Sequence, residues 1–500
     1  MDLLNSLTLG FSVAVTWQNL IYCFLGVLMG TMVGVLPGLG PVTTVALLLP
    51  ITFSLDPTSS LIMLAGIYYG AQYGGSTTAI LVNLPGESSS VVTALDGYKL
   101  ARKGRAGPAL ATAAIASFIA GTFSTLVVAG FAPMLGAVAL KFGAAEYFSL
   151  IVFGLIASII LAQGSVLKAL AMVVLGLLLG QVGTDVTSGV DRYTFGLSEM
   201  ADGISFIALS MALFGIADVI VNLQDKEQRS AGILENVGSL MPTRDDMRQT
   251  APSIARGTVL GSLLGLLPGG GALLASFAAY TLERKVARKP REFGDGDIRG
   301  VAAPEAANNA GAQTSFIPMI TLGLPANPVM AMMIGAMMIQ GITPGPSVLR
   351  NQPDLVWGLI ASMWIGNLML LLLNLPLIRL WVALLKVPYS YVFPAIILFC
   401  CIGAYSVHNA SFDVIMMAVL AFAGFVLVKL KCEPAPLILG FILGPMLEEN
   451  LRRALLISRG DFTIFLTKPI SLVFLLVSLA LLATILFPTV MEQRKRAMEV

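Results

Sequence analysis

The chain has a single histidine, His408, and only four cysteines, Cys23, Cys400, Cys401 and Cys432, in 500 residues. One histidine cannot assemble a His-based metal site, and no pair of cysteines has a C-x-x-C spacing; all four read as small apolar packing residues. Charge is also scarce. Charged residues are 12% of the chain, against roughly 25% in a soluble domain. The net charge is +2, so no polybasic field exists to capture nucleic acid. Half the usual charge cannot solvate the surface of a chain this long. A soluble enzyme, a disordered scaffold and a nucleic-acid binder are therefore excluded. The first twenty residues hold no Lys or Arg, so they lack the basic start of a cleaved signal peptide.

What is plentiful is apolar: 56% hydrophobic residues and a mean hydropathy of +0.86. Apolar stretches fall at 20–36, 42–55, 61–83, 109–133, 146–163, 166–182, 203–222, 257–280, 304–325, 328–342, 354–378, 391–407, 411–428, 434–447 and 469–488. A spanning helix needs about 20 apolar residues, so the stretches at 42–55, 257–280 and 328–342 read as halves of hairpins or broken helices. Glycine (50) and proline (26) are abundant. In membranes they allow close helix packing and break helices where backbone is used for binding.

The two halves of the chain resemble each other. GTMVGVLPGLG (30–40) matches GSLLGLLPGGG (261–271), GAQYGGSTTAILVNLPG (70–86) matches GAQTSFIPMITLGLPA (311–326), and KGRAGP (103–108) matches QGITPGP (340–346). Cytoplasmic loops collect Lys and Arg. In the first half the basic cluster, Lys99, Arg102, Lys103 and Arg105, follows the LPG segment. In the second half it follows the PGGG segment, as Arg284, Lys285, Arg288, Lys289, Arg291 and Arg299, and only Arg350 follows LPA. Equivalent loops then lie on opposite sides of the membrane, the pattern of an inverted repeat in secondary transporters.

The expected fold is an all-α polytopic membrane protein of two inverted repeats, each with a re-entrant hairpin and a broken helix, and about 11–12 transmembrane segments. The first repeat is 1–222 (hairpin 20–55, broken helix 58–104, scaffold helices 109–222) and 223–253 is a cytoplasmic linker. The second repeat is 254–490 (hairpin 254–281, broken helix 301–346, scaffold helices 354–488), and 491–500 is a basic tail. The charge pattern puts the N-terminus outside and the C-terminus in the cytoplasm.

Proline removes a backbone donor and blocks the turn before it. The breaks at NLPGESS and LGLPANP therefore expose carbonyls and amides, which are costly at membrane depth unless they line a polar cavity. Ser76, Thr77, Thr78, Asn83, Pro85, Gly86, Glu87 and Ser88 surround the first break; Asn308, Asn309, Thr321, Gly323, Pro325, Ala326 and Asn327 surround the second. These are the candidate substrate-binding residues. With no Lys or Arg in either stretch, an anion would be held by half-helix N-termini, hydroxyls and amides. Carbonyls and oxygens at Gly38, Gly40, Thr43, Gly75, Gly269, Gly271, Asn309 and Thr314 are the candidate ion ligands. Catalytic residues are not expected. No cofactor and no metal beyond Na⁺ is expected, the coupling ion being Na⁺ or H⁺.

VLPGLGP, YGGSTTAILVNLPGESSSVVTALDGYKLARKGRAGPAL, LPGGGA, PEAANNAGAQTSFIPMITLGLPA and LGPMLEENLRRALLISRGD together resemble the TctA family over nearly the whole chain. That family is the large membrane subunit of bacterial tripartite tricarboxylate transporters. The resemblance implies ion-coupled uptake of a small carboxylate across the bacterial cytoplasmic membrane. It also implies a periplasmic solute-binding protein and a small membrane subunit as partners, with the lipid bilayer as surroundings and no ATPase. The family's motif positions carry over onto Gly38, Gly40, Tyr73 to Thr78, Asn83, Pro85 to Glu87, Asn308, Asn309 and Gly323 to Pro325. The family usually has Gly then Ser where Ala326 and Asn327 stand, and His where Gln340 stands. The first two departures fall at the second break and leave open the choice among mono-, di- and tricarboxylates. The same residues fit a stand-alone carrier without partners. A membrane-embedded enzyme would need paired acidic ligands, and the one Asp-Asp pair, Asp245-Asp246, is in the linker.

Overall fold

In lipid every backbone polar group must be paired within its own segment or a closed barrel. Apolar runs of this length therefore form helices. A computed structural model describes residues 3–139, 141–162, 165–185, 187–224, 238–267, 271–287 and 292–486. It is helical almost throughout, with one two-stranded antiparallel bridge, Gly183–Thr184 against Asp191–Arg192.

The first half runs α1 (Leu3–Ala14), α2 (Trp17–Gly34), α3 (Pro41–Phe53), α4 (Pro57–Val82), α5 (Val91–Leu100), α6 (Ala106–Ala139), α7 (Ala144–Leu161) and α8 (Val166–Leu179). After the bridge come α9 (Phe206–Ser210) and α10 (Ala217–Gln224), joined by a π-helical turn at Met211–Ile216. The second half runs α11 (Arg244–Leu264), α12 (Gly271–Val286), α13 (Arg299–Thr314), α14 (Phe316–Leu322), α15 (Pro328–Ile339), α16 (Pro346–Asn351) and α17 (Pro353–Asn374). It ends with α18 (Ile378–Leu384), α19 (Tyr389–His408), α20 (Ser411–Lys429), α21 (Pro434–Ile457), α22 (Ile464–Thr467) and α23 (Pro469–Leu486).

Among the described residues, six helices are long and apolar enough to cross a membrane: Trp17–Gly34, Ser88–Phe131, Phe206–Leu223, Pro353–Asn374, Ser390–His408 and Ser411–Lys429. Shorter apolar helices, such as Pro41–Phe53 and Pro328–Ile339, fall below the length a single crossing needs. Within the stretch 223–253, α11 already begins at Arg244. Thr243 Oγ1 accepts from the Asp246 amide at 3.1 Å, and Asp246 Oδ2 accepts from the Thr243 amide at 2.9 Å, a reciprocal cap that fixes a helix start. Residues 225–237 and the tail 491–500 lie outside the described residues.

Glycine rows set the tightest packing. A Cβ at Gly26, Gly30 or Gly34 of α2 would run into the carbonyl oxygen of Met63, Ile67 or Ala71 on α4. A Cβ at Gly257 or Gly261 of α11, or at Gly265 just after it, would meet that of Ala303, Ala307 or Gly311 on α13 in the same way. Small residues every fourth position allow this backbone approach. Gly30→Val and Gly261→Val are each expected to abolish monodisperse protein on size-exclusion chromatography, since a side chain there separates two backbones rather than displacing a flexible neighbour. A normal elution profile for both would refute that packing.

The basic ends of the two halves meet. Lys103 pairs with Asp295 at 3.1 Å and Arg105 with Asp246 at 2.7 Å. Asp96, on α5, accepts the amides of Gly294, Gly296 and Asp297, each at 2.8 Å, and the Tyr280 hydroxyl at 2.8 Å.

Candidate substrate cavity

Each break is five residues long and is made by local backbone chemistry. α4 ends where Asn83 turns left-handed (φ 59°) and Pro85 follows; α14 ends where Gly323 turns left-handed (φ 70°) and Pro325 follows. Helix then resumes at Ser88 and at Pro328. At the second restart the Asn327 side chain accepts from the Met330 amide at 2.9 Å, an N-cap with proline in the first helical position.

The first break lies on the turn between α2 and α3. A Cβ at Gly86 would come 2.7 Å from the Gly75 Cα, and one at Gly40 would come 2.5 Å from the Gly86 carbonyl oxygen. Gly38, with φ +83°, turns its carbonyl toward Asn222 Nδ2, which donates to it at 3.1 Å. Asn222 and Asp218 share a face of α10, and Thr43 Oγ1 donates to Asp218 Oδ2 at 3.0 Å.

These elements enclose a cavity of about 450 Å³. Gly38, Gly40, Thr43, Gly86, Glu87, Ser88, Gly271 and Asn327 line it, together with Tyr68, Phe214, Asp218, Glu433 and residues 434–436. Four helices begin at its wall: α3 at Pro41, α12 at Gly271, α15 at Pro328 and α21 at Pro434. Each helix N-terminus carries roughly half a positive charge, a setting that binds anions; at α15 the Met330 amide is already taken by Asn327. No Lys or Arg is among the described lining residues.

The other candidates are placed elsewhere. The Ser76, Thr77 and Thr78 hydroxyls donate to the carbonyls of Gln72, Tyr73 and Gly75 in their own helix, at 3.4, 3.2 and 2.8 Å. Thr314 and Thr321 do the same to Ala310 at 3.0 Å and Ile317 at 2.7 Å. Asn309 Nδ2 donates to Ser117 Oγ on α6 at 2.7 Å. Gly75 is packed on Gly86, and Gly323 on the Pro344 carbonyl. Pro85 and Pro325 are in the breaks without lining the cavity, and Ala326 is buried beside Asn327. Gly269 lies outside the described residues.

Asn308 stands just behind the wall. Its Nδ2 donates to Glu87 Oε1 at 2.8 Å, while its Oδ1 accepts from Gln72 Nε2 at 2.7 Å. A half-two residue thus supports the half-one break. Tyr68, Phe214, Asp218 and the start of α21 are among the lining residues that lie outside both the repeated motifs and the two breaks. The signal for Asp218 was present as an acid inside the apolar run 203–222, which in a membrane span marks a functional position by default.

A second cavity of about 370 Å³ lies beside the β-bridge. It does carry arginines, but Arg192 pairs with Asp185 at 2.8 Å and Glu448 at 2.9 Å, and Arg452 with Asp185 at 3.1 Å. Hydrogen bonds from the Ser188 hydroxyl and the Thr187 amide, with both arginines beside it, hold the Asp185 carboxyl well below the usual range. Its cations are already matched, so this cavity is the weaker candidate for an anion.

Comparison with known proteins matches residues 20–439 to the model described as the tripartite tricarboxylate transporter TctA family. Two relatives come from Agrobacterium vitis. "Uncharacterized 52.8 kDa protein in TAR-I ttuC' 3'region" is 58% identical over 496 residues, 99% of each chain. "Uncharacterized protein in TAR-II ttuC' 3'region" is 58% identical over 234 residues, 47% of this chain and 97% of its own. No solved structure matches.

Proposed function

The chain belongs to the tripartite tricarboxylate transporter TctA family, a family of transporter membrane subunits and not of enzymes, and from that premise we propose that it imports a small di- or tricarboxylate by ion coupling. The observation that carries this reading is the convergence of four helix N-termini on one cavity with no cationic side chain among its described lining residues. The helix dipoles favour a carboxylate there. The wall also holds acids, Glu87, Asp218 and Glu433. A carboxylate entering beside them raises the negative charge, and a co-bound cation offsets it; this is the physical basis for coupling uptake to Na⁺ or H⁺.

The two halves act as inverted repeats, with the α2–α3 and α11–α12 pairs as hairpins. The meeting of the Lys103 and Arg105 end with the Asp295 and Asp246 end supports this reading, since charge placed those loops on one side. Hairpins and broken helices move together in an elevator-like step, while featureless helices such as α23 remain as scaffold. A periplasmic binding protein delivers the substrate and a small membrane subunit completes the assembly in the bacterial inner membrane.

Uptake of a panel of labelled mono-, di- and tricarboxylates, with Na⁺ replaced by choline and with the pH gradient collapsed, tests the proposal. Accumulation of no carboxylate under any ion gradient would overturn it. Asn327→Ser is expected to shift relative uptake within the panel while changing stability by no more than about 0.5 kcal/mol, because serine caps a helix as well as asparagine. The shorter side chain gives up the reach to Ser315 Oγ (3.3 Å) and Tyr68 (3.5 Å). An unaltered uptake profile would show that residue 327 does not read the substrate.

A further inference from the structure

Behind the cavity, two deeply buried oxygens have no hydrogen-bond partner: Glu305 Oε2 and Gln72 Oε1. Glu305 is 1% exposed and Gln72 0%. They sit on neighbouring rungs between α13 and α4. Gln72 meets Asn308, and one turn further along both helices Ser76 faces Glu305. Thr93 Oγ1, from α5, donates to Glu305 Oε1 at 2.7 Å, and Ser117 of α6 is also beside it.

A carboxylate in a dry interior is strongly unfavourable unless its charge is matched. Among the described residues nothing cationic faces Glu305. Its titratable neighbours are Tyr73 on α4 and Glu87 in the first break. On α5, Asp96 is occupied by Tyr280 and the backbone amides of Gly294, Gly296 and Asp297. On α12, Glu283 is paired with Arg256 of α11 at 2.7 Å. α6 brings only the Ser117 hydroxyl.

We infer that Glu305, Gln72, Ser76 and Thr93 form a closed site for one alkali cation, Na⁺, between the two halves of the chain. The inference deepens the transport reading above and rests on it. The chemistry of the oxygens selects the ion. A proton would fill one carboxyl oxygen and leave an amide oxygen and hydroxyl lone pairs unused. A hard cation takes carboxylate, amide and hydroxyl oxygens together. One acidic ligand matches one positive charge, whereas divalent sites gather several acids; among the described residues no group of three His, Cys, Asp or Glu side chains could hold a metal. The site also has a mechanical consequence. Thr93 belongs to the helix that follows the first break, so an ion held by Thr93 and Glu305 ties the Glu87–Ser88 wall of the cavity to α13.

Equilibrium binding of ²²Na⁺ to the purified full-length chain, at constant ionic strength with choline and no carboxylate present, tests the site without calling on transport. Wild type is expected to bind saturably and to gain thermal stability with Na⁺. Glu305→Gln keeps the shape and removes the charge; it should bind at least about 100-fold more weakly and lose the Na⁺-dependent rise in Tm. Thr93→Val and Gln72→Ala should each weaken binding about tenfold, and they decide the matter if Glu305→Gln fails to fold. Absence of saturable binding in wild type, or binding unchanged in these variants, would overturn the inference. So would a Tm that answers to pH through Glu305 but not to Na⁺, because a proton would then occupy the carboxyl group. Sodium binding that persists where no carboxylate is transported would leave the site standing and remove the transport reading instead.

Discussion

Gly86→Ala should abolish carboxylate uptake. The methyl group would come 2.7 Å from the Gly75 Cα, a backbone atom inside α4 that no rotamer change can move. Across the break, the Gly86 carbonyl already meets Gly40 at the start of α3. The first break can admit the methyl only by lifting off the α2–α3 turn, and that displaces Glu87 and Ser88 in the cavity wall. Overpacking of this kind costs about 1–3 kcal/mol, which corresponds to roughly 5- to 150-fold in an equilibrium. Because the shift falls on the wall itself, its effect on uptake should sit at the upper end, with the protein still inserted. Initial rates in whole cells, normalised to the amount of protein in the membrane, measure it. Wild-type rates would mean that the break is not seated on the α2–α3 turn during transport. Gly104→Ala is the natural control, since nothing lies within 4 Å of a Cβ there; its positive φ of 78° makes it a test of backbone strain without a clash.

The features legible in the sequence are those whose chemistry is local. Pro85 and Pro325 end helices by removing donors, Asn327 before Pro328 announces a helix start, and the matched glycines of 30–40 and 261–271 announce close backbone packing. Each statement depends on residues a few positions apart, so one strand of text carries it. Hydroxyl direction is different. Thr77, Thr78, Thr314 and Thr321 have the right chemistry for a ligand, yet their hydroxyls turn to carbonyls three or four residues back, an option open to any helical Ser or Thr. Nothing in the local sequence distinguishes the two outcomes. Asn308 and Asn309 show the same limit: adjacent in sequence, they point about 100° apart on a helix, one to Glu87 and the other to Ser117. Lining residues from outside the repeated motifs were hidden for another reason. Asp218, Glu433 and Pro434 reach the cavity only through long-range packing of α10 and α21, and no motif near them indicates which cavity they approach.

Asn308→Ala is the substitution with the largest expected cost, and the reason is its double role. One amide satisfies two buried groups: it donates to Glu87 Oε1 at 2.8 Å and accepts from Gln72 Nε2 at 2.7 Å. Its removal orphans a carboxylate oxygen and leaves Gln72 Nε2 with only the long 3.5 Å contact to the backbone carbonyl of residue 308. An unsatisfied buried group costs about 1–3 kcal/mol, more where charge is involved, so the pair should lose roughly 2–5 kcal/mol and uptake should fall by at least about 100-fold. Asn308→Asp should be worse still, because it sets a second carboxylate against Glu87 and withdraws the donor. The double-mutant cycle of Asn308→Ala with Glu87→Ala separates this network from simple packing. If the amide acts by holding Glu87 in the cavity wall, the two substitutions together should cost less than their sum, by about 1–3 kcal/mol in thermal or denaturant unfolding. Additive losses would show that Asn308 does not support the first break through Glu87. Other contacts between the halves, among them the Tyr69 hydroxyl donating to Gln313 Oε1 at 2.9 Å and Thr93 donating to Glu305, would then carry the link.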